Sequence, residues 1–388
     1  MDRRRDVTGS HAADLLENHM KIGTPIAWLA ASALSALAAA GNGAPEPARV
    51  ESARLEATLR ALPVKRSAAG DLEHIDGLER AQTWIKDQVR ALGYEPQTQR
   101  VVFGGRPRPD ATPEQAAARA RTWENIILEL PGKEHPNQVL IVGAHFDAVP
   151  DTPGADDNAT GVATLLEMAR VLKDRPMKRT VRLIFFNLEE VGLVGSSQYA
   201  ARFAERVSDK SEHLVGMISL EMLGFYSDAP GSQQAPFKGL DALGLPTVGD
   251  FIALAGVLSG REFIRQLEEQ MRRAEPACRT FVFDFSPIAP PDILRSDHAP
   301  FLLRGLPAVM LTDTANFRNP HYHEPTDTIE TLDLQRLTRT AAAVTQAVHA
   351  IAAPAGGPDA PKPSLEGLPD LSTLMTPDAG PEKTVAPK

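Results

Sequence analysis

The chain has 388 residues, 43% of them hydrophobic and 23% charged, an ordinary composition for a soluble globular protein. Its net charge of −9, and the lack of any basic stripe with interleaved aromatics, argue against nucleic acid as a partner. The single cysteine, Cys278, excludes an intrachain disulfide and every cysteine-based zinc cluster. It reads as a small buried hydrophobe rather than a nucleophile, so any metal must be held by His and carboxylates.

In chain order, residues 25–40 (PIAWLAASALSALAAA) form an apolar run preceded by Lys21 and followed by small residues. This is the pattern of a signal peptide, and the run is shorter than the roughly 20 residues a spanning helix needs. Segment 1–19 mixes charges of both signs and makes a poor signal start. The expectation is translation from Met20, cleavage near Ala40 or Ala44, and a secreted or periplasmic protein, with membrane attachment only if the segment stays uncleaved. Residues 1–44 are thus an extension and signal, 45–353 the working domain and 354–388 a disordered Pro/Gly-rich tail. Removal of a propeptide within 41–70 stays open.

Helical spacing is expected at 50–62 and at 72–93, where Leu78, Ala81, Trp84, Ile85, Val89 and Leu92 recur. Strand-like runs follow at 97–103, 124–130, 138–144, 180–187, 214–220 and 306–311. Helix-like segments at about 159–173, 193–206, 261–274 and 333–352 separate several of them. Strands alternating with amphipathic helices predict an α/β fold, a three-layer αβα sandwich whose mixed sheet is parallel in its centre. Residues 225–300 read as an irregular elaboration that rims the site rather than a second domain.

Five short segments sit where strands end, the place at which open α/β sheets gather functional groups. They are GAHFD with His145 and Asp147, GADDNATG with Asp156 and Asp157, NLEEVG with Glu189 and Glu190, SLEM with Glu221, and HYHEPTDT with His321 and His323. Taken singly each has an ordinary explanation. The Asp pair can cap a helix, and adjacent glutamates are usually a solvated face. Jointly they form the His/carboxylate set that zinc without cysteine requires.

In this order and spacing, GAHFDAV, PGADDNATG, NLEEVGLVGS, Glu221, SDHAPF and HYHEPTDT resemble the co-catalytic di-zinc exopeptidases over roughly residues 120–335. That family includes secreted bacterial leucine aminopeptidases, glutamate carboxypeptidases and the related glutaminyl cyclases. The resemblance implies two Zn2+ per chain, one held by Asp157, Glu190 and His323 and the other by Asp157, Glu221 and His145. Asp157 then bridges, and a hydroxide shared by the two ions completes the sites. It implies Glu189 as general base and Asp147 as the residue that orients the His145 ring, with Asp297 and His298 in support. Many family aminopeptidases carry Asp at the position of Glu221.

The resemblance points to an aminopeptidase acting on peptides. A carboxypeptidase or dipeptidase needs an arginine clamp for a carboxylate, and Arg295 and Arg318 lie near the motifs without forming a convincing pair. A glutaminyl cyclase-like enzyme would work with one zinc, and a non-catalytic binding ectodomain would usually lose ligands or base. Met222, Phe225, Tyr226, Phe317 and Tyr322 are candidates for an apolar pocket, with core packing equally open to each.

Overall fold

The computed structural model describes residues 49–104, 111–236, 244–284 and 291–354. The expected signal segment and the tail from 355 onward lie outside the described residues. Two helices open the described chain, α1 (Ser52–Ala61) and α2 (Leu72–Ala91). The second starts where the Asp71 side chain accepts the His74 N–H, an N-cap bond. Ile75, Leu78, Ala81, Ile85 and Val89 form its buried stripe at helical spacing.

The sheet then builds from β1 (Gln97–Val101), β2 (Trp123–Leu130), β3 (His135–His145), β4 (Arg179–Phe186), β5 (His213–Glu221), β6 (Ile252–Ala255), β7 (Thr280–Phe283) and β8 (Ala308–Thr312). The intervening helices are α3 (Pro113–Ala120), α4 (Thr160–Leu172), α5 (Val194–Ser208), α6 (Arg261–Ala274) and the short α7 (Ala299–Leu302), and α8 (Leu334–Ala352) closes the domain. Strand order is β1-β2-β4-β3-β5-β8-β6-β7. The central four, β4-β3-β5-β8, run parallel, while β2 against β4 and β6 against β8 are antiparallel.

Both faces of this sheet are covered, which explains why its central strands read as continuous apolar runs. Leu140, Val142 and Ala144 of β3 point into a large core with α1, α2, α4, α6 and α8. Val139 and Ile141, one residue out of phase, pack with Tyr199 and Phe203 of α5 and Phe301 of α7 on the other face. That is the αβα sandwich. The described residues within 225–300 belong to the same sheet and do more than rim the site: they supply β6 and the edge strand β7, where sequence spacing indicates only the helix at 261–274. Among the described residues no helix is long and apolar enough to cross a membrane.

Residues 49–70 are built into the core: Leu55, Leu59 and Leu62 are buried in the larger cluster. Cys278 is buried, its Sγ 3.6 Å from Thr340 Oγ1, as a small core residue should be.

The tie between the 225–300 elaboration and the main sheet can be tested. Phe263 of α6 lies so close over Gly216 of β5 that a Cβ there would stand 2.3 Å from the ring. Phe263→Ala should cost about 3–5 kcal/mol in urea unfolding, seen as one coincident transition by the fluorescence of Trp84 and Trp123 and by far-ultraviolet circular dichroism, which also reports α6. A separate early transition would instead show that the elaboration folds by itself.

Candidate metal centre

The parallel order of the central strands decides what meets what. His145 ends β3, paired with Phe186 at the end of β4, and Glu221 ends β5, paired with Thr312 of β8. The loops that follow therefore leave one edge of the sheet side by side, carrying Glu189 and Glu190 after β4. Residues next to the candidate ligands turn sharply: Leu188 (φ 63°) precedes Glu189, Met222 (φ 52°) follows Glu221, and His323 itself has φ 58°. Side chains adopt this left-handed region at a cost on the order of 1–3 kcal/mol, so the surrounding structure holds them there.

Asp157 stands between two imidazoles. Its Oδ1 lies 3.2 Å from His145 Nε2, which is also 3.4 Å from Glu221 Oε2. Its Oδ2 lies 3.1 Å from His323 Nε2, which is 3.5 Å from Glu190 Oε2. Donor atoms of His145, Asp157 and Glu221 lie within 4.8 Å of one another, as do those of Asp157, Glu190 and His323. Zinc ligands bound at 2.0–2.1 Å in a tetrahedron stand roughly 3.3 Å apart, so both triads fit a cation. A third set, His145, Glu189 and Glu190, also meets the distance. Asp157 is common to the first two, and that leaves Glu189 as the carboxylate outside them.

The unsatisfied atoms support the same reading. Asp157 Oδ1 and Glu190 Oε1 are buried without a well-aligned hydrogen-bond donor, a costly arrangement that a cation relieves. The Asp156–Asp157 pair does not cap α4, whose N-cap position is Ala159 and has no side-chain cap bond. The cleft opens on the His323 side, where 34% of that side chain is exposed, against 1% for His145.

Supporting contacts differ in part from expectation. His145 Nδ1 faces the main-chain oxygen of Asp147 at 3.1 Å, with Asp147 Oδ1 farther off at 3.6 Å. The Asp147 carboxylate instead accepts the backbone N–H groups of Glu189 (3.0 Å) and Glu190 (3.1 Å). It orients the ring mainly through its carbonyl and fixes the two glutamates through its side chain. In SDHAPF the residue that reaches the site is Ser296, whose hydroxyl donates to Glu221 Oε2 at 2.7 Å. Asp297 and His298 are fully buried close by. Asp327, to which the sequence attached no role, accepts the N–H groups of Asp156 and Asp157 at 2.9 and 3.1 Å.

The pocket candidates divide. Tyr322 stacks on the His323 ring at 3.8 Å and its hydroxyl accepts from Arg295 at 2.8 Å, while Phe225 meets His321 edge-on. Met222 is buried, and Tyr226 is bonded to Thr340 beneath Arg318. Arg318 is no clamp: its guanidinium is buried and donates to Gln233 Oε1 and to the carbonyls of Phe225 and Phe251.

Electrostatics follow from crowding acids out of water. Burial first, then Asp157, pushes Glu190 up to about 7, and burial holds Glu189 well above the usual carboxylate range. Against the opposing effect of burial, Asp157 and Glu190 carry His323 up to about 10. Burial raises Asp297 and Asp327 to about 7 and lowers His298 to about 4.

Residues 125–348, more than half of the chain, match the profile of the family described as Peptidase family M28. The chain is 32% identical over 305 residues to YfbL of Escherichia coli (strain K12), covering 76% of this chain and 86% of that protein. It is 30% identical over 253 residues to the aminopeptidase YwaD of Bacillus subtilis (strain 168), over 62% of this chain and 47% of YwaD. The chain therefore spans about half the length of YwaD. Among solved structures, BSAP, a zinc aminopeptidase from Bacillus subtilis, superposes with a TM-score of 0.58 at 19% identity, over 81% of this chain and 98% of that one. At that identity the likeness is one of fold.

The raised carboxyls set a pH dependence for the metal-depleted protein. Glu190, Asp297 and Asp327, each at about 7, keep protons in the folded chain that the unfolded chain has released above pH 4–5. The folded state binds more protons across that window, so stability falls as pH rises through it. His298, lowered to about 4, acts in the opposite sense up to pH 6.5, as do the lowered His213 and His349, but Asp313, raised to about 6, and His323, raised to about 10, add to the carboxyls. In chelator the melting temperature should drop between pH 5 and 7.5, and more than in metal-loaded protein. A rise over that range would show that the cluster is not buried as described.

Proposed function

This chain belongs to peptidase family M28, and on that premise we propose that it is a zinc aminopeptidase holding two zinc ions and removing N-terminal residues from peptides. The observation that carries the reading is Asp157, whose two oxygens face two separate imidazole–glutamate pairs. That arrangement suits a carboxylate shared between two cations. Asp157, Glu190 and His323 would hold one ion, and Asp157, Glu221 and His145 the other. Zinc is the metal proposed because a solved neighbour of like fold is a zinc aminopeptidase, and a set of imidazoles and carboxylates accommodates it. Bound zinc polarises a carbonyl and makes water more acidic.

The chain's own groups supply the remaining chemistry. Glu189 is the base: its main chain is pinned by Asp147, and its carboxylate lies beside His145 and Glu190 without belonging to either ligand triad. It takes a proton from the attacking water and delivers it to the leaving amine nitrogen. The surplus of carboxylates around the cleft favours the α-ammonium of a free N-terminus. Arg318, buried and bonded through Nε and Nη1 to Gln233, Phe225 and Phe251, presents no open fork to clamp a C-terminal carboxylate. Phe225 and Tyr322, at the His321–His323 loop, are placed to meet the substrate side chain. Export through residues 25–40 belongs to the same proposal.

Elemental analysis together with a panel of aminoacyl-anilides tests this. Two zinc ions per chain and chelator-sensitive release of unblocked N-terminal residues are expected. Glu189→Gln should lower kcat by about 10²–10⁴-fold with zinc content unchanged. One zinc per chain with cyclisation of N-terminal glutamine would establish a glutaminyl cyclase instead. Cleavage of N-blocked peptides at the C-terminus would establish a carboxypeptidase.

A further inference from the structure

Arg66 lies outside the stretch that matches the family profile, yet its guanidinium is buried directly beneath the candidate ligands. The residue is 1% exposed. Its Nε donates to Phe146 O at 2.8 Å, Nη1 to Pro153 O at 2.7 Å and Pro63 O at 3.1 Å, and Nη2 to Gly154 O at 2.6 Å. Its own carbonyl accepts the Ala148 N–H at 2.9 Å. Phe146 separates His145 from Asp147, and Gly154 opens the turn that carries Asp157. One side chain therefore ties together the two segments that bring the first imidazole and the bridging carboxylate.

Gly154 makes room for this contact. It has φ 63°, and a Cβ there would stand 2.6 Å from Arg66 Nη2 and 2.4 Å from Asp157 O. All the hydrogen-bond acceptors of Arg66 among the described residues are carbonyls, so its charge is balanced at longer range. Burial lowers its pKa, and the field of Asp327, Asp157, Asp147 and Glu190 opposes that. An arginine keeps its charge under such conditions, and its planar fork reaches several acceptors where an ammonium reaches fewer.

We propose that Arg66 is a positioning residue of the metal centre and that residues 49–70 are a working part of the enzyme rather than a removable leader. The proposal rests on the reading that His145, Asp157, Glu190, Glu221 and His323 hold metal. It acts through geometry: loosening Phe146, Pro153 and Gly154 lets His145 and Asp157 drift relative to Glu221.

The test is titration of zinc against a chromophoric chelator, with the visible spectrum of the cobalt-substituted protein, for wild type, Arg66→Lys and Gly154→Ala. Supporting partners of metal ligands typically change affinity by about 10–100-fold, and both variants should lose affinity in that range and shift the cobalt spectrum. Unchanged affinity and spectrum, with melting temperature lowered equally in loaded and chelated protein, would reduce Arg66 to a structural plug and overturn the proposal. A wild type that binds no metal would overturn the underlying metal reading instead. Should neither variant fold, mass spectrometry of the active protein decides: an N-terminus upstream of Arg66 supports the proposal, and any N-terminus beyond Arg66 sinks it.

Discussion

The centre depends on one constraint: many carboxylates must be kept out of water within a few ångströms of one another. Asp147, Asp156, Asp157, Glu189, Asp297, Asp313 and Asp327 are all buried. Desolvation alone costs several kcal/mol for each buried ion, so the arrangement survives only where every charge finds a partner. Two kinds of partner divide most of the set, while Asp297, whose oxygens meet no well-aligned donor, is raised by burial to about 7. Asp147 takes two backbone N–H groups, and so does Asp327. Asp313 takes those of Phe225 and Ala315, while Asp156 takes that of Gly224 and the amide of Asn319. Backbone dipoles offset part of the cost for these outer acids, and burial still raises Asp327 to about 7 and Asp313 to about 6. Asp157 and Glu190, which line the cleft, each keep a buried oxygen without a well-aligned donor, Asp157 Oδ1 facing His145 Nε2 at 3.2 Å, and a cation is what such oxygens suit.

The outer acids do structural work because they accept backbone N–H groups. Each one ties a strand-end loop to another element. Asp327 holds the loop of His323 against the turn of Asp157, Asp147 holds the end of β3 against the glutamate turn after β4, and Asp313 holds the end of β8 against the chain after β5. The geometry of the candidate ligands is thus fixed by hydrogen bonds that exist without metal. Arg66 extends the same device with the opposite sign, using a buried cation to gather carbonyls from two loops. Preorganisation of this kind limits how far the ligands must move when metal binds.

Legibility in the sequence followed locality. The candidate ligands stand at the ends of apolar runs, so His145, Glu190 and Glu221 could be found from strand patterns, and the long helices from their 3.6-residue period. Asp327 and Arg66 gave no such signal. Their partners lie 170 and 80 or more residues away, and their polar side chains resemble a turn residue and a surface charge until the fold closes over them. The direction of the Asp147 carboxylate was equally hidden, since ring and backbone donors two and forty-odd residues away compete for it. The strands β6 and β7 were missed because each has only four residues set among prolines and glycines. Helix α3 hides in a charged, alanine-rich stretch and declares itself only by the Thr112–Gln115 capping box.

Glu221, a candidate ligand, shows how the same framework holds a longer carboxylate in place. A glutamate places its carboxylate one methylene farther from β5 than an aspartate would, and adds a rotatable bond that must be frozen. Ser296 does this: it donates to Glu221 Oε2 at 2.7 Å while its own hydroxyl stands 3.0 Å from Ser219. Ser219 lies two residues before Glu221 on the same face of β5, because alternate residues of a strand point the same way. The longer side chain is therefore braced from its own strand through one intermediate hydroxyl, which leaves Oε2 3.4 Å from His145 Nε2. Freedom gained by the methylene is removed by the serine pair, so the chain keeps a defined position for this carboxylate without the shorter residue.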